Sequence, residues 1–369
     1  MPSRRTLLKF LSATGAANLA SYAGVFAAES RTEIWLMPDE GDRHKRTWMA
    51  FGASAKIWGG KLLPDVQRNL ALIANTIVEF EPVTMLVRNA DTGLAKRLLS
   101  PKVETLTCPL DDLWIRDTGP VFVVNKSRGA AQRKACVDFN FNGWGKKQDH
   151  AQDALVAQFV AKHARVEVKT APLVLEGGSI EVDGEGSAVI SESCVLIDNR
   201  NPGVSKAQCE RALRELLGIT KVIWIPGVKG KDITDGHTDF YARFARPGVV
   251  LAGFDGDVGS YDHAITKRNI EVLRESVDAR GKRLDVLTLN APNTVRKKFE
   301  RSEFAAGYVG FYVCNGAVIA QEFGDKAADR AARETLARAF PNRKIVQLNV
   351  DAIAAGGGSI HCATQQEPL

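Results

Sequence analysis

No two of the six cysteines in this 369-residue chain form a Cys-x-x-Cys pair. Their scatter supports neither a zinc site nor a disulfide framework. A lysine run is also missing. The formal net charge is +6, and it falls to +3 once Arg4, Arg5 and Lys9 are set aside with the first 28 residues. That balance is too weak to argue for nucleic acid as a partner. Beyond the N-terminus no apolar run approaches the roughly 20 residues that a membrane span needs. No Pro- or Ser-rich linker divides the chain, so residues 29–369 read as one domain. Composition is otherwise ordinary for a globular protein, with 45% hydrophobic and 25% charged residues.

The N-terminus has its own character. Ser3-Arg4-Arg5-Thr6-Leu7-Leu8-Lys9 is basic, and a mildly apolar stretch rich in Ala, Gly and Ser follows from Phe10 to Phe26. It ends at Val25-Phe26-Ala27-Ala28, where small residues suit a signal peptidase. Residues 1–28 therefore read as a removable export signal of twin-arginine type, with the periplasm or exterior as destination. An unused signal would leave the protein in the cytoplasm. A twin-arginine substrate folds before export, so free thiols are expected, and most of the cysteines read as small core residues in apolar, strand-like runs such as that around Cys194.

Five segments carry helical periodicity: Pro64–Phe80, Ala151–His163, Ser205 to Gly218, Asp262–Val277 and Lys326–Phe340. Ser205 with Gln208 forms a capping box, and Gly218 is a stop. Short β-branched runs lie between the helices: Val83–Val87, Val121–Val124, Val222–Ile225, Val249–Leu251, Tyr308–Val313 and Ile345–Leu348. Strands alternating with helices give an α/β class. The helix starts imply a unit of roughly 55–65 residues repeated five times, which suggests a radial or stacked arrangement. Gly177-Gly178-Ser179-Ile180 recurs as Gly357-Gly358-Ser359-Ile360, and both copies are expected to enter a strand from a glycine turn.

Four segments could carry chemistry. In Trp114-Ile115-Arg116-Asp117-Thr118-Gly119-Pro120 the aspartate is either a turn residue or a ligand-binding carboxylate. In Leu175-Glu176-Gly177-Gly178 a carboxylate follows an apolar run and needs a partner if buried. In Asp235-Gly236-His237-Thr238-Asp239, a strand starting at Thr238 would point His237 and Asp239 to one face. Histidine is the natural proton shuttle near neutral pH. A His-x-Asp metal site would need further ligands with recognisable spacing, and none is present. In Gly356-Gly357-Gly358-Ser359-Ile360-His361-Cys362, the cysteine sits in a glycine-rich polar setting suited to a reactive thiolate. Strand parity would send His361 to the opposite face from Cys362, which leaves His237 as its partner. A cysteine protease needs one histidine and one Asn or Asp. The extra carboxylates Asp117, Glu176 and Asp239 fit a cationic substrate instead, and paired carboxylates match a planar guanidinium.

Together these four segments resemble the agmatine deiminase family, also described as the Porphyromonas-type peptidylarginine deiminases. Asn199-Arg200-Asn201-Pro202, Val222-Ile223-Trp224-Ile225-Pro226 and Phe323-Gly324-Asp325 carry the likeness too, and it runs from about Trp35 to the C-terminus. The resemblance implies a pentein fold, a pseudo-fivefold α/β propeller. It implies hydrolysis of agmatine to N-carbamoylputrescine and ammonia without metal or organic cofactor. Cys362 would be the nucleophile and His237 the general acid and base. Glu176 would support both the histidine and the substrate. Asp117 and Asp239 would bind the guanidinium, with Trp114, Arg116 and Gly358 as further substrate-binding candidates. The partner implied is a small cationic guanidinium compound, and a homodimer is one assembly open to the chain. Ser359 replaces the family's usual Asn, Leu113 replaces a common Ser, and Thr238-Asp239-Phe240-Tyr241 also departs from the usual pattern. With the export signal, these departures keep an exported peptidylarginine or arginine deiminase open as the alternative. An amidinotransferase and a non-catalytic exported binding protein are the more distant readings.

Overall fold

The computed structural model describes residues 33–125 and 134–369. The export-signal segment, residues 1–28, lies outside the described residues. Residues Ile34–Leu369 form one compact unit. Among the described residues, no helix is long and apolar enough to cross a membrane.

Five small sheets make up this unit. Four follow one plan in chain order. Two antiparallel strands are followed by a helix and a third strand, which lies parallel to the second. Val121–Asn125 and Lys134–Asp138 pair antiparallel, helix Val156–Ala164 follows, and Glu167–Thr170 pairs parallel. The plan repeats with Ile180–Val182, Ser187–Ser191, helix Lys206–Leu217 and Lys221–Ile225. It repeats with Ala242–Arg246, Val249–Phe254, helix Tyr261–Glu275 and Asp285–Asn290. The last complete copy is Tyr312–Cys314, Ala317–Gln321, helix Lys326–Ala339 and Lys344–Leu348. The remaining sheet joins the two ends of the chain. C-terminal Gln365–Pro368 pairs antiparallel with His44–Phe51, and helix Ala55–Ile77 leads to the parallel strand Val83–Val87. In each unit the helix supplies the crossover that a parallel pair requires.

Strand alternation explains why five such units close. Successive side chains on a strand face opposite sides. On His44–Phe51, Trp48 and Ala50 join a core with Phe122 and Cys136, whereas Met49 and Phe51 join a core with Tyr312 and Ile319. Each other middle strand is likewise a partition. Val123 and Val137 meet Ala188 and Ile190, and Val189 meets Phe244 and Val250. Leu251 and Leu289 meet Val313 and Val318, while Ala317 and Ile319 return to the core of Met49. Five sheets thus share five cores, and the last core is lined by the first sheet. This is the pseudo-fivefold α/β propeller of the pentein fold. Strands buried on both faces read as continuous apolar runs, which is how they appear in the sequence.

Several local expectations change. The helix read from Pro64 begins at Ala55, because a short piece joins it across Gly59, whose φ is 66°. The strand read over Tyr308–Val313 is Tyr312–Cys314. Gly310 spends its backbone elsewhere, since its carbonyl accepts from His361 N at 3.0 Å and its Cα abuts Ser359. Thr238 opens a helical turn, Thr238–Tyr241, not a strand. The second Gly-Gly-Ser-Ile copy leads into the 3-10 turn His361–Ala363 and only then to a strand. Cys194 lies in the helical turn Glu192–Val195. All six cysteines are buried and unbridged.

The closing strand depends on Glu367. It is fully buried, and its carboxylate meets Lys134 Nζ at 2.9 Å, Lys45 Nζ at 3.1 Å and Trp48 Nε1 at 3.2 Å. Removing one partner from a buried charge cluster costs about 3–5 kcal/mol. Glu367→Ala is therefore expected to lower the midpoint of thermal unfolding by roughly 5–10 °C. An unchanged midpoint in a calorimetric scan would show that the ring is held shut by other contacts.

Candidate active site

The candidate carboxylates, His237 and Cys362 sit in or cap a short turn just ahead of the first strand of a unit. Asp117 lies in Ile115–Thr118, before Val121–Asn125. Glu176 caps Gly177–Ser179, before Ile180–Val182. His237 caps Thr238–Tyr241, which holds Asp239 and precedes Ala242–Arg246. Cys362 lies in His361–Ala363, before Gln365–Pro368. Repetition thus brings four loops, distant in sequence, to one place. Asp117, His237, Asp239, Trp114, Gly358 and Cys362 all line one open cavity.

Two candidates stand outside the cavity wall. Arg116 lies behind it, only 2% exposed. Its Nη2 meets Glu40 Oε2 at 3.0 Å and its Nη1 donates to Gln366 Oε1 at 2.8 Å. Glu176 stands behind His237, with Oε2 3.2 Å from His237 Nε2. Arg200 Nε grips the same carboxylate at 2.8 and 3.1 Å. Through Nη1 and Nη2, Arg200 also holds Asp235 Oδ2 and Thr234 O, both at 2.9 Å. One guanidinium therefore ties Glu176 to the loop that carries His237.

Asp117 is oriented from two sides. Gly178 N donates to its Oδ1 at 3.1 Å and Trp144 Nε1 to its Oδ2 at 2.9 Å. Its Oδ1 lies 3.8 Å from His237 Nδ1. Trp144 adopts a left-handed backbone (φ 54°), unusual for a residue with a side chain. Asp239 Oδ2 accepts from His361 Nδ1 at 2.7 Å and lies 3.9 Å from Cys362 Sγ. Ser359 Oγ is 3.3 Å from the same sulfur. The remaining wall mixes aromatic side chains with aliphatic ones and with the polar Asp112, Gln148 and Arg301. Asp112 Oδ1 accepts from Trp58 Nε1 at 2.7 Å, and the rings of Trp58 and Trp114 lie 5.7 Å apart. Gly356 and Gly358 have no Cβ because it would fall 2.2 Å from Trp58 and from Trp114 respectively.

Charge is uneven in this cavity. Burial alone would lower the His237 pKa, but Asp117, Glu176 and Asp239 overcome it and raise the value to about 9. Burial, Asp239 and Asp117 push the Cys362 thiol well above the usual range, against donation from Ser359. Burial also raises Asp117, opposed by His237 and reinforced by Asp239 and Glu176. The site thus carries a protonated histidine and an un-ionised thiol among closely spaced carboxylates. A cation placed between the carboxylates would relieve their repulsion and favour the thiolate. Among the described residues, no group of three or more His, Cys, Asp or Glu side chains has an arrangement that could hold a metal ion.

Arg200 and Trp144 escaped sequence reasoning as site residues. Arg200 lies in the Asn199-Arg200-Asn201-Pro202 turn, where an arginine is normally solvated. A clue existed in the carboxylate surplus, which demands a buried cation. The Gly-Trp-Gly flanks of Trp144 signal left-handed backbone.

The chain belongs to the Porphyromonas-type peptidyl-arginine deiminase family, which it matches over residues 36–368. It is 41% identical over 341 residues to a putative agmatine deiminase of Streptomyces coelicolor, covering 90% of this chain and 98% of that protein. It is 34% identical to the agmatine deiminase of Medicago truncatula, covering 90% and 96%. The structure of the Enterococcus faecalis agmatine deiminase superposes with a TM-score of 0.84 at 32% identity, covering 90% of this chain and 96% of that one. A C. Jejuni agmatine deiminase solved with substrate bound gives a TM-score of 0.80 at 27% identity, covering 91% and 96%.

Gly178 gives this geometry a direct check. A Cβ there would fall 2.6 Å from His237 Nδ1 and 3.0 Å from Asp117 Oδ1 and Asp239 Oδ2. Gly178→Ala is expected to displace the imidazole and cut kcat/KM about 100-fold or more, with the thermal midpoint nearly unchanged. Wild-type turnover in that variant would mean that the three side chains do not converge during the reaction.

Proposed function

We propose that the protein is an agmatine deiminase, hydrolysing agmatine to N-carbamoylputrescine and ammonia. The observation that carries the reading is the meeting of Cys362, His237, Asp117 and Asp239 in one cavity with surplus negative charge. Relatives bearing that name at 34–41% identity support it.

Asp117 and Asp239 align the planar guanidinium, each accepting hydrogen bonds from its nitrogens. The arriving positive charge lowers the thiol pKa, the Sγ proton passes to solvent through the open cavity, and the resulting Cys362 thiolate attacks the guanidinium carbon. The C–S bond forms as the C=N electron pair moves to nitrogen. Protonated His237 then gives its proton to the departing nitrogen, the C–N bond breaks, and ammonia leaves. An amidino-thioether remains on Cys362. Neutral His237 takes a proton from water, whose oxygen attacks the same carbon. Collapse expels the thiolate, the hydroxyl proton of the adduct passes to the departing sulfur, and the product leaves with a neutral ureido group, the thiol and protonated His237 being restored. Glu176 does not touch the reacting atoms in this scheme; it positions His237 and stabilises its charged form. Trp58, Trp114 and Trp144 give the rest of the substrate an apolar wall. The charge pattern of residues 1–28 supports export of the folded enzyme by a twin-arginine route.

A colorimetric ureido assay with agmatine, free arginine and an arginyl peptide tests the reading, run on periplasmic and cytoplasmic fractions. Product is expected from agmatine, chiefly in the periplasmic fraction. Cys362→Ala and His237→Ala are expected to lose at least about 1,000-fold in kcat while remaining folded. Absence of product from all three compounds would overturn the deiminase reading. Product from an arginyl compound alone would reassign the substrate.

A further inference from the structure

His361 precedes the nucleophile in the chain yet takes no part in the cavity wall. It is 1% exposed. Its Nδ1 lies 2.7 Å from Asp239 Oδ2 and its Nε2 lies 2.9 Å from Glu40 Oε2. Both ring nitrogens therefore face carboxylate oxygens. A neutral imidazole has only one N–H and would set a lone pair against one of them. Two donors are needed, so either the ring is an imidazolium or one carboxyl group is protonated. Glu40 is ruled out as the proton carrier by its other partners. Arg116 Nη2 shares its Oε2 at 3.0 Å, while Arg243 Nη2 at 2.8 Å and Val313 N at 2.8 Å hold Oε1. Those cations and His361 overcome the cost of burial and hold Glu40 well below the usual carboxylate range.

We infer that His361 is a positioning residue for the reaction: a buried imidazolium, clamped between Asp239 and Glu40, that fixes the Asp239 carboxylate and keeps it ionised for the guanidinium. The inference rests on the proposed role of Asp239 as guanidinium acceptor. With Oδ2 occupied by His361, Asp239 Oδ1 is buried and accepts no hydrogen bond from the described residues, so it is the oxygen left for substrate. Burial would raise the Asp239 pKa, but the hydrogen bond and charge of His361, with His237 and Arg243, lower it instead. The charged and titratable groups around His361 come from several elements. Asp239 comes from Thr238–Tyr241 and Glu40 from the segment after Trp35–Leu36. Arg116 from Ile115–Thr118 places Nε 3.4 Å from the His361 carbonyl. Cys362 is the next residue. Arg243, with Glu181 at 2.7 Å from its Nε, forms the shell beyond Glu40.

His361→Gln tests the inference, since it keeps polarity but removes the charge. In steady-state assays with agmatine, KM is expected to rise about 30-fold or more while kcat falls less than about 10-fold. The acid limb of kcat/KM against pH is expected to move up by about one pH unit or more, because Asp239 loses its cationic donor. Parallel losses in kcat and KM terms with an unmoved acid limb would overturn the inference in favour of a merely structural role. If His361→Gln does not fold, the wild-type protein still decides. In 15N-histidine-labelled protein at neutral pH, both His361 ring nitrogens are expected to carry protons, and a single N–H tautomer would contradict the imidazolium. A wild type inactive on agmatine would instead strike at the proposed function, and the nitrogen spectrum would still report on His361.

Discussion

Buried carboxylates repel one another, and every other feature of this site follows from the need to hold three of them around one histidine. Asp117 and Asp239 line the cavity, Glu176 stands behind His237, and each needs donors placed for it. Each has its own device. Arg200 grips Glu176, His361 grips Asp239, and the Gly178 amide with the Trp144 indole holds Asp117. The three carboxylates in turn keep His237 charged, and burial with Asp239 and Asp117 keeps the Cys362 thiol protonated. The balance is set for one more cation, which the substrate would bring. Nucleophile activation is then linked to occupancy, and small unrelated thiol reagents meet a poorly ionised sulfur.

The ring supplies the geometry. Each unit offers one turn at the head of its first strand, and those turns face a common centre. Four of the five turns carry the candidate residues, and the glycines in them let side chains from neighbouring units approach. Gly177 makes the point, since a Cβ there would fall 2.2 Å from the Arg116 carbonyl. Closure by Gln365–Pro368 matters for the same reason. The strand that completes the first sheet follows directly on the turn holding Cys362, so an open ring would lose the nucleophile's register against Asp239.

Much of this was legible in the sequence. Alternation of helices and strands gave the class, the spacing of helix starts gave the number of units, and the capping box at Ser205 fixed one helix to the residue. Cys362, His237, Asp117 and Asp239 stood out because polar side chains among glycines and apolar runs require a reason. Local conformation was less readable. The paired direction of His237 and Asp239 was inferred from strand parity, yet they share a cavity from a helical turn. His361 and Cys362 do diverge, but on a 3-10 turn, so the parity argument reached that placement by the wrong geometry. Tertiary demands account for both. The turns are shaped by contacts with other units, such as Gly310 against Ser359, which no local pattern encodes. Arg116 was a substrate-binding candidate through the family resemblance. On a helical turn, adjacent residues point apart, and the arginine serves the buried Glu40 cluster instead. Arg200 was unreadable for the converse reason: its partners are 24 and 35 residues away.

The central claim is that Cys362 is the atom to which the guanidinium carbon is transferred. Acid quenching of the enzyme during steady-state turnover of agmatine, followed by digestion and mass analysis, tests it directly. The account predicts an adduct of agmatine less ammonia on the peptide containing Cys362 and on no other cysteine peptide. Active turnover with no adduct under single-turnover quenching, or an adduct on a different residue, would contradict it.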